Sequence, residues 1–322
     1  MQALLLDGIG VKMRVRAVDD PVAGADEVVV QLYAAALNRR DYWITQGKYP
    51  GLRFPAILGS DGAGTLEGRA VVINPGLRWG DNQRVQSSAF RVLGMPDPGT
   101  FAQRIALPAD HVYDKPAHLS WEEAAALPLA GLTAYRALFV QGMAQPGQRV
   151  LISGAGGGVA LIAIQFALAL GMEVWVTSGS DEKIGRAQGI GIAGGVNYRK
   201  DDWPDQLKQM AGSFDLVIDS AGGDGFAALV SLVAPGGRLV TYGGSLGKVN
   251  KLSPQLIFWR QITIQGSTMG SQSDFRGMLN FVNQHQIRPV VDRVFDLVDG
   301  QAAIDYLARG EQFGKVVLNI PQ

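Results

Sequence analysis

The chain has 322 residues, of which 47% are hydrophobic and 18% charged, enough for one large domain or two of ordinary size. Lysine plus arginine equals aspartate plus glutamate at 29 each, so no net field attracts nucleic acid or anionic lipid. The chain has no cysteine, which excludes disulfides, thiolate zinc sites, iron–sulfur clusters and a cysteine nucleophile. We therefore expect no nucleic-acid partner, and redox chemistry requires a bound cofactor.

The N-terminal part of the chain has the pattern of a β-rich domain. Its first residues, MQALLLDGIGVKMRV, contain only a short apolar run and no cleavage signature, so we expect a cytoplasmic protein. Short β-rich pieces separated by Gly, Pro and Asn turns then follow, among them EVVVQLYAA, GAGTLEGRAVVIN and TFAQRIALP. This pattern predicts a separate β-barrel domain.

The stretch Val150 to Met172 contains no charged residue over 23 positions, which is long enough to cross a bilayer. Glycines near its start break such a helix: Gly154, Gly156, Gly157 and Gly158. We therefore predict a strand at Val150–Ser153, a glycine turn and a helix at Val159–Leu170, followed by a strand at Glu173–Thr177. This βαβ unit indicates a dinucleotide site and argues against a membrane partner.

Further strands alternate with helical segments after this unit. They are predicted at Gly195–Asn197, Asp215–Asp219, Arg238–Tyr242 and Gln261–Gln265. Six such strands make a doubly wound parallel sheet whose ligand lies at the carboxyl ends of the strands. From Ser267 onward we predict a helix in SDFRGMLNFVNQ, a helix at Gly300–Arg309 and a terminal strand in GKVVLNI. This tail is too short to stand alone, so we expect it to pack on the first domain.

Five blocks of sequence occur in an order that resembles a known family: NRRDYWITQGKYP, ILGSDGAG, AALPLAGLTAYRAL, GAGGGVALIAIQFALALG and QGSTMGS. The chain resembles the medium-chain dehydrogenase/reductase superfamily, specifically its zinc-free quinone oxidoreductase-like branch. The resemblance implies an α/β protein with a GroES-like β-barrel catalytic domain formed by both chain ends, residues 1–120 and 267–322. It implies a Rossmann NADP-binding domain over residues 121–266.

The identity of the cofactor depends on the end of the second Rossmann strand, where an acidic residue favours NAD by binding the ribose hydroxyls. The segment WVTSGSDEK has no acid at that point; it offers Thr177 and Ser178 hydroxyls and the cation of Lys183, with Asp181 as an expected N-cap. The resemblance adds Tyr198 to a 2′-phosphate site and Arg199 as its neighbour. We expect NADPH; the alternative, which we favour less, is that Lys183 and Arg199 are solvated surface charges, as most lysines and arginines are.

Cofactor contacts are expected in the glycine turn, at the end of the second strand and in the loops that follow the later strands. The full set is Gly154, Gly156, Gly157, Gly158, Val159, Thr177, Ser178, Lys183, Tyr198, Tyr242, Gly243, Gly266, Ser267 and Thr268.

Zinc-dependent members of the superfamily place a cysteine where this chain has Asn38, and Gly-His-Glu where it has Gly59, Ser60 and Asp61. The three histidines have no second ligand at metal spacing and are interpreted as surface or packing residues. We expect no catalytic metal. Ser60 and Asp61 are interpreted either as site residues or as turn formers.

The resemblance points to four candidate catalytic residues: Asn38, Asp41, Tyr49 and Thr133. For Asp41 a structural hydrogen-bonding role is the favoured alternative, since a buried aspartate is normally paired. Hydride delivery without zinc suits an already electrophilic small molecule, so we expect a quinone, an enone or a 2-alkenal as the acceptor.

Alternative functions stay open at this stage. One is a zinc-free alcohol or acyl-thioester-type oxidoreductase, and another is an NADPH-binding sensor or regulatory protein with little turnover. Related proteins pair through the last Rossmann strand, so QITIQ predicts a homodimer edge, flanked by Ile257, Phe258 and Trp259. A core role would explain these apolar residues equally well.

Overall fold

The computed structural model describes all 322 residues and divides them into two compact units. The terminal unit consists of Met1–Leu132 and Gly270–Gln322, and the central unit of Thr133–Met269. The divisions therefore fall after Leu132 and Met269, whereas the sequence predicts them after residues 120 and 266.

The terminal unit is built from β-strands of both chain ends. One sheet has three strands, one has seven, and a short pair stands apart. The strands are β1 Gln2–Leu6, β2 Arg14–Ala17, β3 Glu27–Ala36, β4 Ala56–Ile57, β5 Asp61–Leu66, β6 Arg69–Ile73, β7 Gly76–Leu77, β8 Arg91–Val92, β9 Arg104–Pro108, β10 Val112–Asp114, and later in the chain β17 Val291–Asp296 and β18 Lys315–Asn319.

Pairing of β18 with β3 joins the two ends of the chain. β3 runs antiparallel to β5 on one side and to β18 on the other. The last residue of β3, Ala36, lies opposite Asp61 in β5 and Val317 in β18. Both β5 and β18 run antiparallel to β3, so the first residues of β5 and β18 lie beside the last residues of β3. Lys315 and Asp61, which begin these two strands, therefore lie beside the residues that follow Ala36.

The core of the terminal unit holds apolar side chains from both chain segments. Buried members include Leu4, Leu32, Phe101, Val316 and Leu318. Val316 and Leu318 belong to the C-terminal segment Gly270–Gln322, so this segment completes the core. A segment of this length is too short to form a core of its own.

Five helices begin in or belong to the terminal unit: α1 Arg39–Thr45, α2 Trp121–Ala126, α3 Pro128–Tyr135, which crosses into the central unit, and later in the chain α9 Gln272–His285 and α10 Gly300–Arg309. Capping boxes begin α1, α2 and α9, with Asn38, Ser120 and Ser271 as the N-caps. Single turns of 3₁₀-helix lie at Ala109–His111 and Leu297–Asp299.

The central unit contains one six-stranded parallel sheet covered by helices. Its strands are β11 Arg149–Ile152, β12 Glu173–Ser178, β13 Gly194–Asn197, β14 Phe214–Asp219, β15 Val233–Thr241 and β16 Thr263–Gly266. Its helices are α4 Gly158–Ala169, α5 Asp181–Gln188, α6 Trp203–Ala211, α7 Phe226–Leu232 and α8 Pro254–Arg260, with a π-helical segment at Arg136–Gln141. The strand order β13-β12-β11-β14-β15-β16 is that of a Rossmann sheet, so the predicted doubly wound fold is confirmed.

The uncharged stretch Val150 to Met172 is divided between β11, the glycine turn and α4. Its side chains in β11 are buried, as are most of those in α4, which explains the lack of charge by burial in a parallel α/β layer. None of the helices in the structure is both long enough and apolar enough to cross a membrane.

Candidate functional site

The glycine turn between β11 and α4 has the shape of a phosphate cradle. Gly154 and Gly156 have φ values of +76° and +111°, which side chains rarely adopt. A Cβ on Gly156 would lie 2.7 Å from Cδ of Lys183, so the turn is closed on that side. The amides of the first turn of α4, which include those of Gly158 and Val159, have no acceptor within the helix. These groups fit the pyrophosphate of a dinucleotide.

The end of β12 holds this turn in place. The Ala155 amide donates to the Thr177 carbonyl at 2.8 Å, and the Ser178 hydroxyl donates to the Ala155 carbonyl at 3.0 Å. Thr177 and Ser178 are both buried. The proton of the Ser178 hydroxyl is therefore used within the protein, and Ser178 supports the turn directly.

Three side chains of the proposed 2′-phosphate site lie near the end of β12. Lys183 lies against Gly156, with Nζ 3.5 Å from the position of an added Cβ. Tyr198 Oη and Arg199 Nε lie 2.8 and 3.1 Å from the corresponding position on Gly179. The N-cap of α5 is Ser180, whose Oγ accepts from the Lys183 amide at 3.3 Å, so the prediction of Asp181 as N-cap is wrong by one position. Ser180 is the cap because its backbone is extended (φ −141°, ψ 123°), whereas Asp181 is already the first helical residue.

Loops after β14, β15 and β16 lie side by side at the same end of the sheet. Tyr242 donates its amide to the Asp219 carbonyl at 3.0 Å, and Ser267 donates its amide to the Thr241 carbonyl at 2.8 Å. A Cβ on Gly243 would lie 2.4 Å from the Ser220 carbonyl oxygen, so this close approach requires glycine. Burial raises the pKa of the Tyr242 hydroxyl, which also bonds Ser220. Gly266 and Thr268 are exposed at the end of β16.

Asp219, predicted only as the last residue of a strand, joins these loops. Its carboxylate is fully buried; Oδ1 accepts from the Ser153 hydroxyl at 2.9 Å, and Oδ2 accepts from the Gly222 amide at 2.9 Å. Ser153 opens the glycine turn and Gly222 lies in the loop after β14. Asp219 thus connects the two loops through hydrogen bonds. The sequence signal for this role is an acidic residue at the end of an apolar strand, since a buried carboxylate needs hydrogen-bond donors.

A second group of polar residues, here called the Asn38 cluster, consists of Asn38, Asp61 and Lys315 in the terminal unit. Asn38 Nδ2 donates to Asp61 Oδ2 at 2.9 Å, and Lys315 Nζ donates to Asn38 Oδ1 at 2.7 Å and to Asp61 Oδ2 at 2.9 Å. All three side chains are buried. Asp61 contacts residues far away in the chain, so its interpretation as a local turn former does not describe its bonds. Lys315 was missed, although a lone lysine in the apolar segment GKVVLNI is a signal for it.

Asp41 lies one helical turn after Asn38 and closes the capping box of α1. Its Oδ2 accepts from the backbone N–H of Asn38 at 2.7 Å, while Oδ1 is buried without a hydrogen-bond partner. Burial raises the pKa of Asp41 to about 6, against the opposing effect of the nearby Arg40 guanidinium. Arg40 itself donates to the Ser60 hydroxyl at 2.7 Å and to the Leu93 carbonyl. Asp41 therefore has the structural role of closing the capping box, and its carboxyl group also has a raised pKa.

The other two candidate catalytic residues have different surroundings. Tyr49 is partly exposed, and the Arg40 guanidinium lies over its ring, 5.2 Å from the centroid. Thr133 belongs to the central unit, where its hydroxyl contacts the Met269 sulfur at 3.9 Å.

The Asn38 cluster does not fit a zinc ion. Asp61 is its only ordinary zinc ligand, and the Asp61 oxygen that faces Asn38 already binds the ammonium of Lys315. The structure holds no group of three or more His, Cys, Asp and Glu side chains arranged to bind a metal. Of the histidines, His111 bonds Asp110 and the Gly76 carbonyl, and His118 bonds the Ile287 carbonyl.

Comparison with known proteins places both units in established families. Residues 24–117 match the alcohol dehydrogenase GroES-like domain, and residues 158–284 match the zinc-binding dehydrogenase domain. A zinc-type alcohol dehydrogenase-like protein, YogA, from Leptosphaeria maculans is 35% identical, with 96% of this chain and 94% of that protein aligned.

Solved structures agree over the whole chain. A crystal structure of an NAD-dependent alcohol dehydrogenase has a TM-score of 0.93 at 36% identity and covers 100% of both chains. The quinone oxidoreductase of Thermus thermophilus, also solved with NADPH, has a TM-score of 0.83 at 29% identity and covers 99% of this chain and 100% of its own. The predicted pairing of a GroES-like domain with a Rossmann sheet is confirmed, and the chain belongs to the medium-chain dehydrogenase/reductase superfamily of oxidoreductases.

Proposed function

We propose that the protein is an NADPH-dependent reductase that works without zinc and transfers hydride to a small electrophilic acceptor: a quinone, an enone or a 2-alkenal. One observation carries the proposal. The strand β12 ends in Thr177 and Ser178 without a carboxylate, and Lys183, Tyr198 and Arg199 lie against the glycines around that end.

These three side chains suit a 2′-phosphate chemically. An ammonium, a guanidinium and a phenol can each donate a hydrogen bond to a phosphate oxygen, and the two cations offset its charge. NADH carries a hydroxyl at the same position and gains less from them. An acidic residue at the end of β12 would have favoured the hydroxyl and repelled the phosphate.

The glycine turn and the residues at the end of β12 would hold NADPH, which would supply a hydride for the reaction. The acceptor takes the hydride at an electrophilic carbon or ring position, its oxygen gains negative charge, and a proton from water completes the reduction. The Asn38 amide can donate a hydrogen bond to such an oxygen, because Lys315 and Asp61 occupy only one of its two N–H groups and its carbonyl. A quinone or enone is already electrophilic and needs less activation than an alcohol.

The cofactor preference is tested by titrating tryptophan fluorescence with NADPH and with NADH in the wild type and in Lys183→Ala. We expect the variant to lose at least about tenfold in NADPH affinity, since a hydrogen bond to a charged group contributes roughly 1.5–3 kcal/mol, and to lose little in NADH affinity. Lys208→Ala removes an exposed lysine of α6 and serves as the matched control. Equal losses for both cofactors would contradict the 2′-phosphate assignment.

The reaction is tested by following NADPH oxidation at about 340 nm with a panel of quinones, enones and 2-alkenals. Turnover of one acceptor class supports the reductase. Tight NADPH binding without turnover of any acceptor supports the NADPH-binding sensor instead.

A second candidate is an alcohol oxidoreductase that uses NAD. It is favoured by the NAD-dependent alcohol dehydrogenase that aligns with this chain over its full length. NADH formation from primary and secondary alcohols, with tighter binding of NADH than of NADPH, would support this function over the reductase.

We also propose that two copies pair through β16, an edge strand of the Rossmann sheet. Beside it, α8 exposes Phe258 and Trp259, with 64% and 78% of their surfaces accessible. A free strand edge next to two large exposed aromatic residues is a surface that a second copy can cover.

A further inference from the structure

Lys315 is a buried ammonium at the start of β18, with only 4% of its surface accessible. A lysine ammonium has three protons, and each has an acceptor here: the Leu37 carbonyl at 2.8 Å, Asn38 Oδ1 at 2.7 Å and Asp61 Oδ2 at 2.9 Å. A buried charge without such partners would be costly, so the full set of bonds holds the side chain in one position.

Asp61 completes the arrangement from the other side. Its Oδ1 accepts from the Leu129 amide at 2.7 Å, and its Oδ2 accepts from both Lys315 and Asn38. The carboxylate is fully buried and is directly paired with the Lys315 ammonium. Asn38, Asp61 and Lys315 thus form a closed ring in which each side chain contacts the other two.

The ring determines the orientation of the Asn38 amide. The amide oxygen must face the ammonium, which only donates, and the amide nitrogen must face the carboxylate, which only accepts. The reverse orientation would place two donors together and two acceptors together. The Asn38 side chain cannot flip without losing both bonds.

One N–H group of Asn38 remains for another partner. Nδ2 carries two protons, and the hydrogen bond to Asp61 uses one of them. Asn38 keeps 8% of its surface accessible, unlike Asp61, which has none. The ammonium on Oδ1 also withdraws electron density from the amide, which strengthens the remaining N–H as a donor.

We infer that Lys315 is a positioning residue: with Asp61 it orients and polarises Asn38, whose second amide proton binds the carbonyl oxygen of the acceptor. This inference rests on the proposed reductase function, in which the oxygen of each proposed acceptor gains negative charge during hydride transfer. The positive charge of Lys315 acts on that oxygen through the amide, because all three ammonium protons are used within the protein.

The test uses the double variant Lys315→Met with Asp61→Asn, since removing both charges avoids leaving one buried and unpaired. With 2-cyclohexen-1-one and NADPH, we expect kcat to fall by roughly 10–100-fold while KM for the enone changes by less than about threefold, because the bond strengthens as charge develops. The control is Arg69→Met with Asp114→Asn, which removes an exposed ion pair of the same unit with a separation of 2.7 Å. Circular dichroism confirms that both double variants are folded.

A second readout does not depend on turnover. With NADP⁺ in place of NADPH no hydride is available, and the Asn38 side-chain amide is followed by ¹⁵N NMR, its signals being identified by their loss in Asn38→Asp. We expect 2-cyclohexen-1-one to shift one Nδ2 proton downfield in the wild type and to leave it unshifted in the Lys315→Met, Asp61→Asn variant.

The outcomes separate the two proposals. If the wild type reduces the enone and the double variant keeps kcat within about twofold, the role of Lys315 is refuted while the reductase function stands. If the wild type reduces no quinone, enone or 2-alkenal, the proposed function fails, and the NMR experiment decides the inference. The inference is overturned if 2-cyclohexen-1-one does not shift the Nδ2 proton signals of Asn38 in the wild type.

Discussion

Asp41→Asn tests the energetics of the buried carboxylate in α1. Asp41 is fully buried, and burial raises the pKa of its carboxyl group from 3.8 to about 6. Between pH 3.8 and about pH 6, the Asp41 carboxyl group therefore keeps its proton in the folded protein and has released it in the unfolded chain. An asparagine at position 41 keeps a side-chain oxygen that can accept from the backbone N–H of Asn38, but it has no charge to bury.

The size of the effect follows from the pKa shift. A raised pKa means that the favourable contribution of Asp41 is fully present below pH 3.8 and is lost as pH rises through about 6. The shift of about two pKa units corresponds to roughly 3 kcal/mol, at about 1.36 kcal/mol per unit. Relative to Asp41→Asn, the wild type should lose this amount of unfolding free energy between about pH 4 and about pH 7.

Urea unfolding of both proteins, recorded at intervals from about pH 4 to about pH 8, measures this difference. Groups common to both proteins titrate alike, so the difference between the two curves isolates Asp41. Asp114→Asn controls for removing an exposed carboxylate from the same unit. A difference that stays constant with pH, or that grows in favour of the wild type as pH rises, would refute the reasoning.

Two further predictions concern the cofactor turn and the proposed dimer. Gly156→Ala should weaken NADPH binding by at least about tenfold in a fluorescence titration, because its Cβ would lie 2.7 Å from Lys183 at a φ of +111°. Gly171→Ala, at a φ of +82° in open space, is the control, and equal affinities in the two variants would contradict the role of the turn. Trp259→Asp should convert a dimer to a monomer in sedimentation velocity, whereas Val298→Asp, at another exposed apolar position, should not. A monomeric wild type would rule out the proposed pairing.

Local patterns in the sequence predicted the central unit well. The glycine turn was predicted between a strand and a helix, and the observed helix α4 begins one residue before the predicted one. Such predictions succeed because a βαβ unit is defined by neighbouring residues: an apolar strand, a turn that needs glycine, and a helix of regular spacing. The N-cap of α5 differed by one residue, since Ser180 and Asp181 are both good caps and only the backbone geometry chooses between them.

The polar clusters needed the folded structure. Asn38 could be named from the sequence through a family resemblance, but its partner Lys315 lies 277 positions away and was not identified. Asp219 likewise looked like the end of a strand until its bonds to Ser153 and Gly222 were visible.

The sequence alone determined the fold class, the glycine turn and the absence of cysteine chemistry, because these depend on composition and on short-range patterns. Tertiary structure decided which polar groups meet. Antiparallel pairing of β3 with both β5 and β18 brings the first residues of two distant strands to the end of a third, and Asp61 and Lys315 meet Asn38 there. Burial then makes these contacts strong, since charged groups removed from water must satisfy one another.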